Sequence, residues 1–118
     1  MSGLTLVLGT LVAIEFFYIM YLETFATRSK TTARVFNMTE QELARDSVLV
    51  LFKNQGVYNG LIGVGLLYGL FVSQSIEIVT MLLIYIVLVA LYGSITSNKK
   101  IILTQGGLAI LTLLSMLW

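Results

Sequence analysis

The sequence predicts an all-α membrane protein, in which four transmembrane helices form an up-down bundle. Of the 118 residues, 58% are hydrophobic and only 11% are charged. Four mostly apolar windows each reach the length of about 20 residues that a helix needs to cross a bilayer core of about 30 Å. These expected spans are approximately 4–25, 48–72, 76–93 and 101–118. Because the last two links are short, neighbouring helices should be antiparallel, in a single membrane domain over 1–118.

The first window has the features of a retained helix rather than of a removed signal peptide. No basic residue precedes it, no small-residue cleavage site follows it, and its apolar run is longer than the core of a signal peptide. We therefore expect it to be the first span of the mature chain.

The basic residues all fall on one side of the expected bundle. They lie in the loop 26–47, at the start of the second span and before the fourth span. The positive-inside rule therefore predicts that both termini lie outside and the basic loops lie in the cytoplasm, in the inner or plasma membrane. Trp118 would then lie at the outer interface, and a net charge of +1 gives no reason to expect nucleic acid as a partner.

The composition excludes several kinds of chemistry. The chain contains no Pro, Cys or His, which rules out disulfides, thiol catalysis and the common zinc sites. A metal ion would have to bind through oxygen alone. We accordingly assign no cofactor, no metal site and no catalytic residue.

The loop 26–47 contains a helix start signal. Thr39 and Glu42 have the spacing of a capping box, which predicts a helix beginning at Glu40. That helix either runs without interruption into the second span or breaks near Ser47 and lies along the membrane surface. The sequence leaves both arrangements open.

Three spans each carry a polar side chain at a similar expected depth. Counted from the charged cytoplasmic rim at about 1.5 Å per residue, Glu15 lies about 12 Å into the membrane, Asn59 about 9 Å and Gln105 about 8 Å. A carboxylate at such depth marks either a functional site or a neutral acid that bonds a neighbouring helix. Glu23, near the rim, is expected to be a solvated helix end. The common depth predicts a shared pocket or hydrogen-bond network in the inner leaflet.

The second span carries the densest polar stripe. Asn54 and Tyr58 are stacked one helical turn apart, with Gln55 and Asn59 in the adjoining row. The Tyr58 hydroxyl is placed to hydrogen-bond Glu15. Three carboxamides in an apolar helix need hydrogen-bond partners, water or a ligand. An amide left unpaired in an apolar medium costs on the order of several kcal/mol.

Glycines lie beside this stripe and in the fourth span. Gly56, Gly60 and Gly63 fall on one helix face, and Gly106 and Gly107 are adjacent in the fourth span. Small residues at such spacing let membrane helices approach closely. We expect these five glycines to pack helices together, either within the chain or in a homodimer.

Four stretches of the sequence together resemble a known family, the small bacterial membrane proteins grouped as DUF1304. They are "AIEFFYIMYLE" (13–23), "ARVFNMTEQE" (33–42), "NQGVYNGLIGVGLLYG" (54–69) and "TQGGLAI" (104–110). The resemblance implies the fold and orientation described above, but it implies no activity. It also implies the signature positions Glu15, Tyr18, Glu23, Asn54, Gln55, Gly56, Tyr58, Asn59, Gly60 and Gln105. The family often has His where this chain has Phe16, so a mechanism that needs imidazole there is lost.

Three functional hypotheses follow. The first is a protein that binds or transports a small polar or amphipathic molecule, with the lipid bilayer as surroundings. Its ligand-binding residues would be Glu15, Tyr18, Asn54, Gln55, Tyr58, Asn59 and Gln105. The second is a structural or regulatory subunit of a larger complex, which outward-facing carboxamides would favour. The third is a lipid-modifying membrane enzyme, with Glu15 as general acid or base.

Overall fold

The structure, a computed structural model that describes residues 1–97 and 99–117, consists in that part of helices joined by turns, without strands. The all-α prediction is therefore confirmed. In chain order the helices are α1 (Gly3–Met20), α2 (Lys30–Val35), α3 (Glu40–Leu43), α4 (Asp46–Leu67), α5 (Ile76–Thr96), α6 (Ile101–Thr104) and α7 (Gly107–Ser115).

Two of the long helices end in a π-helical turn. α1 continues into Tyr21–Phe25, and α4 continues into Tyr68–Val72. At the end of the first turn, the N–H of Ala26 bonds the carbonyl of Tyr21, five residues back, at 3.0 Å. Because a π turn disrupts the regular i to i−4 ladder, nearby carbonyls become available to side chains.

The loop 26–47 is ordered by its helix ends. Ser29 caps α2 by accepting a hydrogen bond from the N–H of Thr32 at 3.1 Å. Asn37 follows α2 with a φ of 54°, a left-handed conformation that Asn tolerates better than most residues. The N–H of Met38 then bonds the carbonyl of Ala33 at 2.9 Å, which closes a Schellman motif.

The predicted capping box is confirmed. The Thr39 hydroxyl accepts from the N–H of Glu42, and the Glu42 carboxylate accepts from the N–H of Thr39 at 2.9 Å. The bonds from Thr39 hold the pKa of Glu42 below its usual value. The helix that starts at Glu40 ends at Leu43, and α4 begins at Asp46. The helix that starts at Glu40 is therefore not continuous with the second span, and the break lies slightly before Ser47. The position of α3 along the membrane surface stays a prediction.

Among residues 1–97 and 99–117, three helices are long and apolar enough to cross a membrane. They are Gly3–Phe25, Asp46–Val72 and Ile76–Thr96, counting the π turns with their helices. α5 is apolar around its circumference: Leu83 is fully buried, whereas Met81 and Leu88 are 62% and 59% exposed. Large apolar side chains on the outer face suit lipid rather than water.

The fourth expected span, 101–118, is not one continuous helix. It is divided into α6 and α7 by a break at Gln105 and Gly106. Two consecutive glycines lower helix propensity by about 1 kcal/mol each relative to Ala. A Cβ added at Gly106 would lie 2.7 Å from the carbonyl oxygen of Ile102 and 3.3 Å from Cβ of Ala90 on α5. Trp118, expected at the outer interface, lies outside the described residues.

By their internal contacts the residues form two units, which are described separately. Unit 1 comprises Met1–Glu15 and Gly63–Trp118, and unit 2 comprises Phe16–Ile62. In unit 1 the buried hydroxyls of Thr5 and Ser115 lie 2.8 Å apart and join α1 to α7. The assignment of the whole chain to a single membrane domain stays a prediction.

Unit 2 has an apolar core beside the loop. Leu22 of the first π turn and Leu43 of α3 are 2% and 0% exposed. The rings of Phe36 and Phe52 meet edge to face, with centroids 5.3 Å apart. This contact joins the end of α2 to α4, so the loop is held against the helix that follows it.

Gly106→Ala is expected to lower the free energy of unfolding by about 1–3 kcal/mol, because the added methyl group would be overpacked against the Ile102 carbonyl and, less tightly, against Ala90 of α5. Gly107→Ala is the matched control, since nothing lies within 4 Å of a Cβ there. That change should be neutral or should stabilise by up to about 1 kcal/mol through helix propensity. Thermal unfolding in detergent, followed by circular dichroism, measures both. Equal effects of the two substitutions would contradict a close approach at Gly106.

Candidate functional site

Threonine side chains gather where α1 ends and bond the carbonyls of its last turn. The hydroxyl of Thr27 donates to the carbonyl of Glu23 at 2.5 Å. The hydroxyl of Thr32 lies 3.2 Å from the carbonyl oxygen of Leu22 and 2.7 Å from that of Ala26. Helix ends leave such carbonyls without a helical partner, and an apolar medium offers no water to replace one. The threonines therefore let this helix end be buried.

α4 also hydrogen-bonds the polar end of α1. Nζ of Lys53 donates to the carbonyl of Thr24 at 3.0 Å, and the hydroxyl of Thr24 donates to the carbonyl of Lys53 at 3.2 Å. The two bonds run in opposite directions between the first π turn and α4. Lys53, which the sequence predicts to lie at the cytoplasmic rim, thus has its ammonium group fixed at the π turn that follows α1.

Glu23 is fully buried in unit 2, with 0% of its surface exposed. Its Oε1 accepts a hydrogen bond from Nδ2 of Asn59 at 2.5 Å. The expectation of a solvated helix end was therefore wrong. The expectation was based on depth along the first span alone. It did not take into account that the chain after Phe25 turns back and buries Thr27 and Thr32 at this point.

The second oxygen of Glu23 is the unusual feature of this pair. Oε2 is buried, and no group within residues 1–97 and 99–117 hydrogen-bonds it. An ionised carboxyl in that condition is costly. A bound proton, or a donor from outside the described residues, removes this cost.

Two glycines allow α4 to approach α1 closely enough for this bond. A Cβ added at Gly56 would collide with the Thr24 hydroxyl and lie 3.0 Å from the Thr24 nitrogen. A Cβ at Gly60 would collide with the sulfur of Met20. Gly60 thus approaches the last residue of α1 and Gly56 approaches the π turn that follows it, and Asn59 lies between the two glycines in sequence. Association of two chains through the glycine faces stays a prediction.

An open cleft of about 340 Å³ lies at the same end of α1. Its lining combines apolar groups, hydroxyls and two cationic side chains: Phe25, Ala26, Thr27, Arg28, Ser29, Leu49 and Lys53. No carboxylate belongs to this lining. In the described part of the chain, no group of three or more acidic residues is close enough to hold a metal ion.

The other polar residues of the second span lie on its outer side. Asn54 and Gln55 are exposed, and Nδ2 of Asn54 bonds the carbonyl of Val50 in its own helix at 2.9 Å. Tyr58 is 70% exposed, and Tyr18 on α1 is 52% exposed. Of the three carboxamides, only Asn59 is partly buried. The ligand-binding role of the exposed four stays a prediction.

Glu15 and Gln105 belong to unit 1, whereas Asn59 belongs to unit 2. Oε1 of Glu15 is buried, and no described residue hydrogen-bonds it. Gln105 is half-buried at the break between α6 and α7, and Gly63 is buried in α4. The common layer of Glu15, Asn59 and Gln105 stays a prediction.

Sequence reasoning missed the threonines of this site. Thr27 follows Glu23 by four residues, the spacing at which a hydroxyl bonds a helical carbonyl, so a local signal was present. Thr32 carries no such signal, because its contact with Leu22 spans ten residues and depends on the fold of the loop.

The profile of a family described as "Protein of unknown function (DUF1304)" matches residues 10–117. The chain belongs to the DUF1304 family. It is also 72% identical over 116 residues to the uncharacterised protein YpaA of Lactococcus lactis subsp. lactis (strain IL1403), with 98% of each chain covered. No solved structure matches the chain. The resemblance to DUF1304 drawn from the motifs is thus confirmed.

Several of the positions that the resemblance to DUF1304 implies as signature positions meet in unit 2. Glu23 and Asn59 form the buried hydrogen bond, and Gly56 and Gly60 make the approach that it needs. These residues come from two of the quoted stretches, which are separated by the loop. The polar end of α1 is therefore our candidate functional site for this DUF1304 chain.

Asn59→Ala is expected to lower the free energy of unfolding by about 1–3 kcal/mol, because it leaves Oε1 of Glu23 buried without a donor. Asn54→Ala is the matched control, since it removes the same group from an exposed position of the same helix. Its effect should stay within about 0.5 kcal/mol. Denaturant titration in detergent micelles, followed by circular dichroism, compares the two variants. The account of the buried pair fails if they are equally stable.

Proposed function

We propose that this chain is an integral protein of the bacterial inner membrane that binds a small polar or amphipathic molecule at the cytoplasmic end of its first span. The observation that supports this is the cleft at residues 25–29, 49 and 53. It brings apolar and cationic side chains together where a helix long enough to cross a membrane ends, at Phe25. Sites for small molecules commonly combine an apolar wall with a few fixed polar groups.

The proposal includes the membrane arrangement. The three long helices cross the bilayer, and α6 and α7 together make a fourth crossing as an interrupted helix in an up-down bundle. Broken helices are tolerated at membrane depth where protein covers the irregular backbone, and Gly106 is buried. With both termini outside, the loop that carries Arg28 lies in the cytoplasm, as the positive-inside rule favours.

In this proposal the Glu23–Asn59 pair positions the cleft rather than touching the ligand. Glu23 is fully buried, and its backbone carbonyl holds Thr27, which lines the cleft. The neighbouring carbonyl of Thr24 holds Lys53, another lining residue. We favour binding over catalysis, because the lining offers no carboxyl, imidazole or thiol for acid–base or nucleophilic chemistry.

One observation favours a second candidate function, a structural or regulatory subunit of a larger membrane complex. Asn54, Gln55 and Tyr58 form an exposed polar group on a helix that is otherwise apolar enough to span a membrane. Polar side chains on such a surface are suited to bonds with a neighbouring helix.

Ala26→Leu is expected to reduce ligand binding by about tenfold or more, because the larger side chain fills part of the cleft. Native mass spectrometry of the protein extracted in mild detergent counts the bound amphiphiles that remain after activation. Ala44→Leu, outside the lining, is the matched control and should bind as the wild type does. Equal retention by Ala26→Leu would contradict the proposed site, and a stoichiometric protein partner in place of an amphiphile would favour the second candidate.

A further inference from the structure

We propose that the cleft recognises a phosphate group, either on the headgroup of an anionic lipid or as free phosphate. This inference rests on the proposed function and names the chemical class of its ligand. It is carried by the charges and the free hydrogen-bond donors of the lining residues.

The sign of the charge is the first argument. Arg28 and Lys53 both line the cleft, and none of the seven lining residues is acidic. The buried carboxyl of Glu23 bonds Asn59 rather than either cation. A group with negative charge is therefore favoured over a neutral or cationic one.

The free donors are the second argument. The Thr27 hydroxyl is used on the carbonyl of Glu23, and Ser29 Oγ accepts from the N–H of Thr32 while lying 2.9 Å from the Thr32 hydroxyl. Among the described residues no acceptor takes a hydrogen bond from the guanidinium of Arg28. Lys53 spends one of its three ammonium hydrogens on the carbonyl of Thr24. The side-chain donors that remain are cationic, and they suit a ligand rich in acceptor oxygens.

Phosphate fits this donor set better than a carboxylate does. It offers more acceptor oxygens than a carboxylate, and Arg binds it through two parallel N–H groups. Inorganic phosphate also carries greater charge than a carboxylate, whereas the phosphodiester of a lipid headgroup carries a single negative charge. Basic pockets on the cytoplasmic side of membrane helices are a common form of lipid headgroup recognition.

The position of the cleft is the third argument. Phe25 ends the first candidate span and lines the cleft, with 72% of its side chain exposed. Leu49 adds a second apolar group from α4. If the phosphate of a lipid contacts Arg28 and Lys53, the apolar side chains of Phe25 and Leu49 lie beside the lipid's glycerol backbone. Free phosphate has no apolar part that needs such a contact.

The test measures binding of three probes to the whole protein in detergent by native mass spectrometry. Dioleoylphosphatidylglycerol carries both phosphate and acyl chains, dioleoylglycerol has the chains alone, and inorganic phosphate serves as a competitor without chains. The variants are Arg28→Gln and Lys53→Gln, with Lys53→Arg as the charge-conserving change. Arg34→Gln, an exposed cation of α2 outside the lining, is the matched control.

We expect phosphatidylglycerol to bind and dioleoylglycerol to bind at least about tenfold more weakly, since charge-assisted hydrogen bonds supply the difference. Arg28→Gln and Lys53→Gln should each weaken phosphatidylglycerol binding by about tenfold, whereas Lys53→Arg and Arg34→Gln should not. Displacement by millimolar inorganic phosphate would support the free ion as the source, and failure to displace would support the lipid.

Equal binding of phosphatidylglycerol and dioleoylglycerol, unaffected by Arg28→Gln, would overturn the phosphate assignment. The proposed function would survive that result if Ala26→Leu still released both lipids. If Ala26→Leu released neither, the cleft itself would fail as a binding site. Since Arg28 is exposed, its substitution keeps the test open even if Lys53→Gln does not fold.

Discussion

The hydrogen bond from Asn59 to the buried carboxyl of Glu23 is the interaction on which the polar end of the first span depends. It places a carboxyl and a carboxamide from distant parts of the sequence 2.5 Å apart, between helices that glycines bring together. An apolar environment makes such a bond restrictive, because either partner alone would be left without water or protein to bond. The contact therefore fixes how the end of α1 lies on α4 within unit 2.

The polar residues around this contact are explained by the backbone carbonyls that need hydrogen-bond donors there. The π turn releases carbonyls from the regular helix ladder, and Thr27, Thr32 and Lys53 take them up. Those bonds also shape the cleft, because Thr27 and Lys53 line it. The hydrogen bonds that satisfy the carbonyls of this helix end thus determine which side-chain donors of the cleft remain free.

Local signals in the sequence predicted the three long helices and the capping box at Thr39, because each depends on composition or short spacing. The family came instead from the resemblance of four sequence stretches. The burial of Glu23 was missed, since it depends on a loop that turns back over the helix end. The sequence predicted one continuous helix for the fourth span, because the mean hydropathy of a window does not register the break at Gly106 and its close contacts. Depth counting grouped Glu15 with Asn59 and Gln105, whereas the described partner of Asn59 is Glu23. Helical periodicity indicates which side chains of the second span share a face. It does not indicate whether that face packs on another helix, so the exposure of Asn54 and Gln55 could not be predicted.

The most direct test of the central contact is a solid-state NMR distance in lipid bilayers. The quantity measured is the distance between the carboxyl carbon of Glu23 and the side-chain nitrogen of Asn59. The Glu23→Gln variant is used to assign the carboxyl signal. Because Nδ2 lies 2.5 Å from Oε1, which is bonded to the carboxyl carbon, we expect a measurable dipolar coupling between the two labelled atoms. Absence of that coupling, with the Glu23 carboxyl signal assigned and the protein folded, would contradict the account.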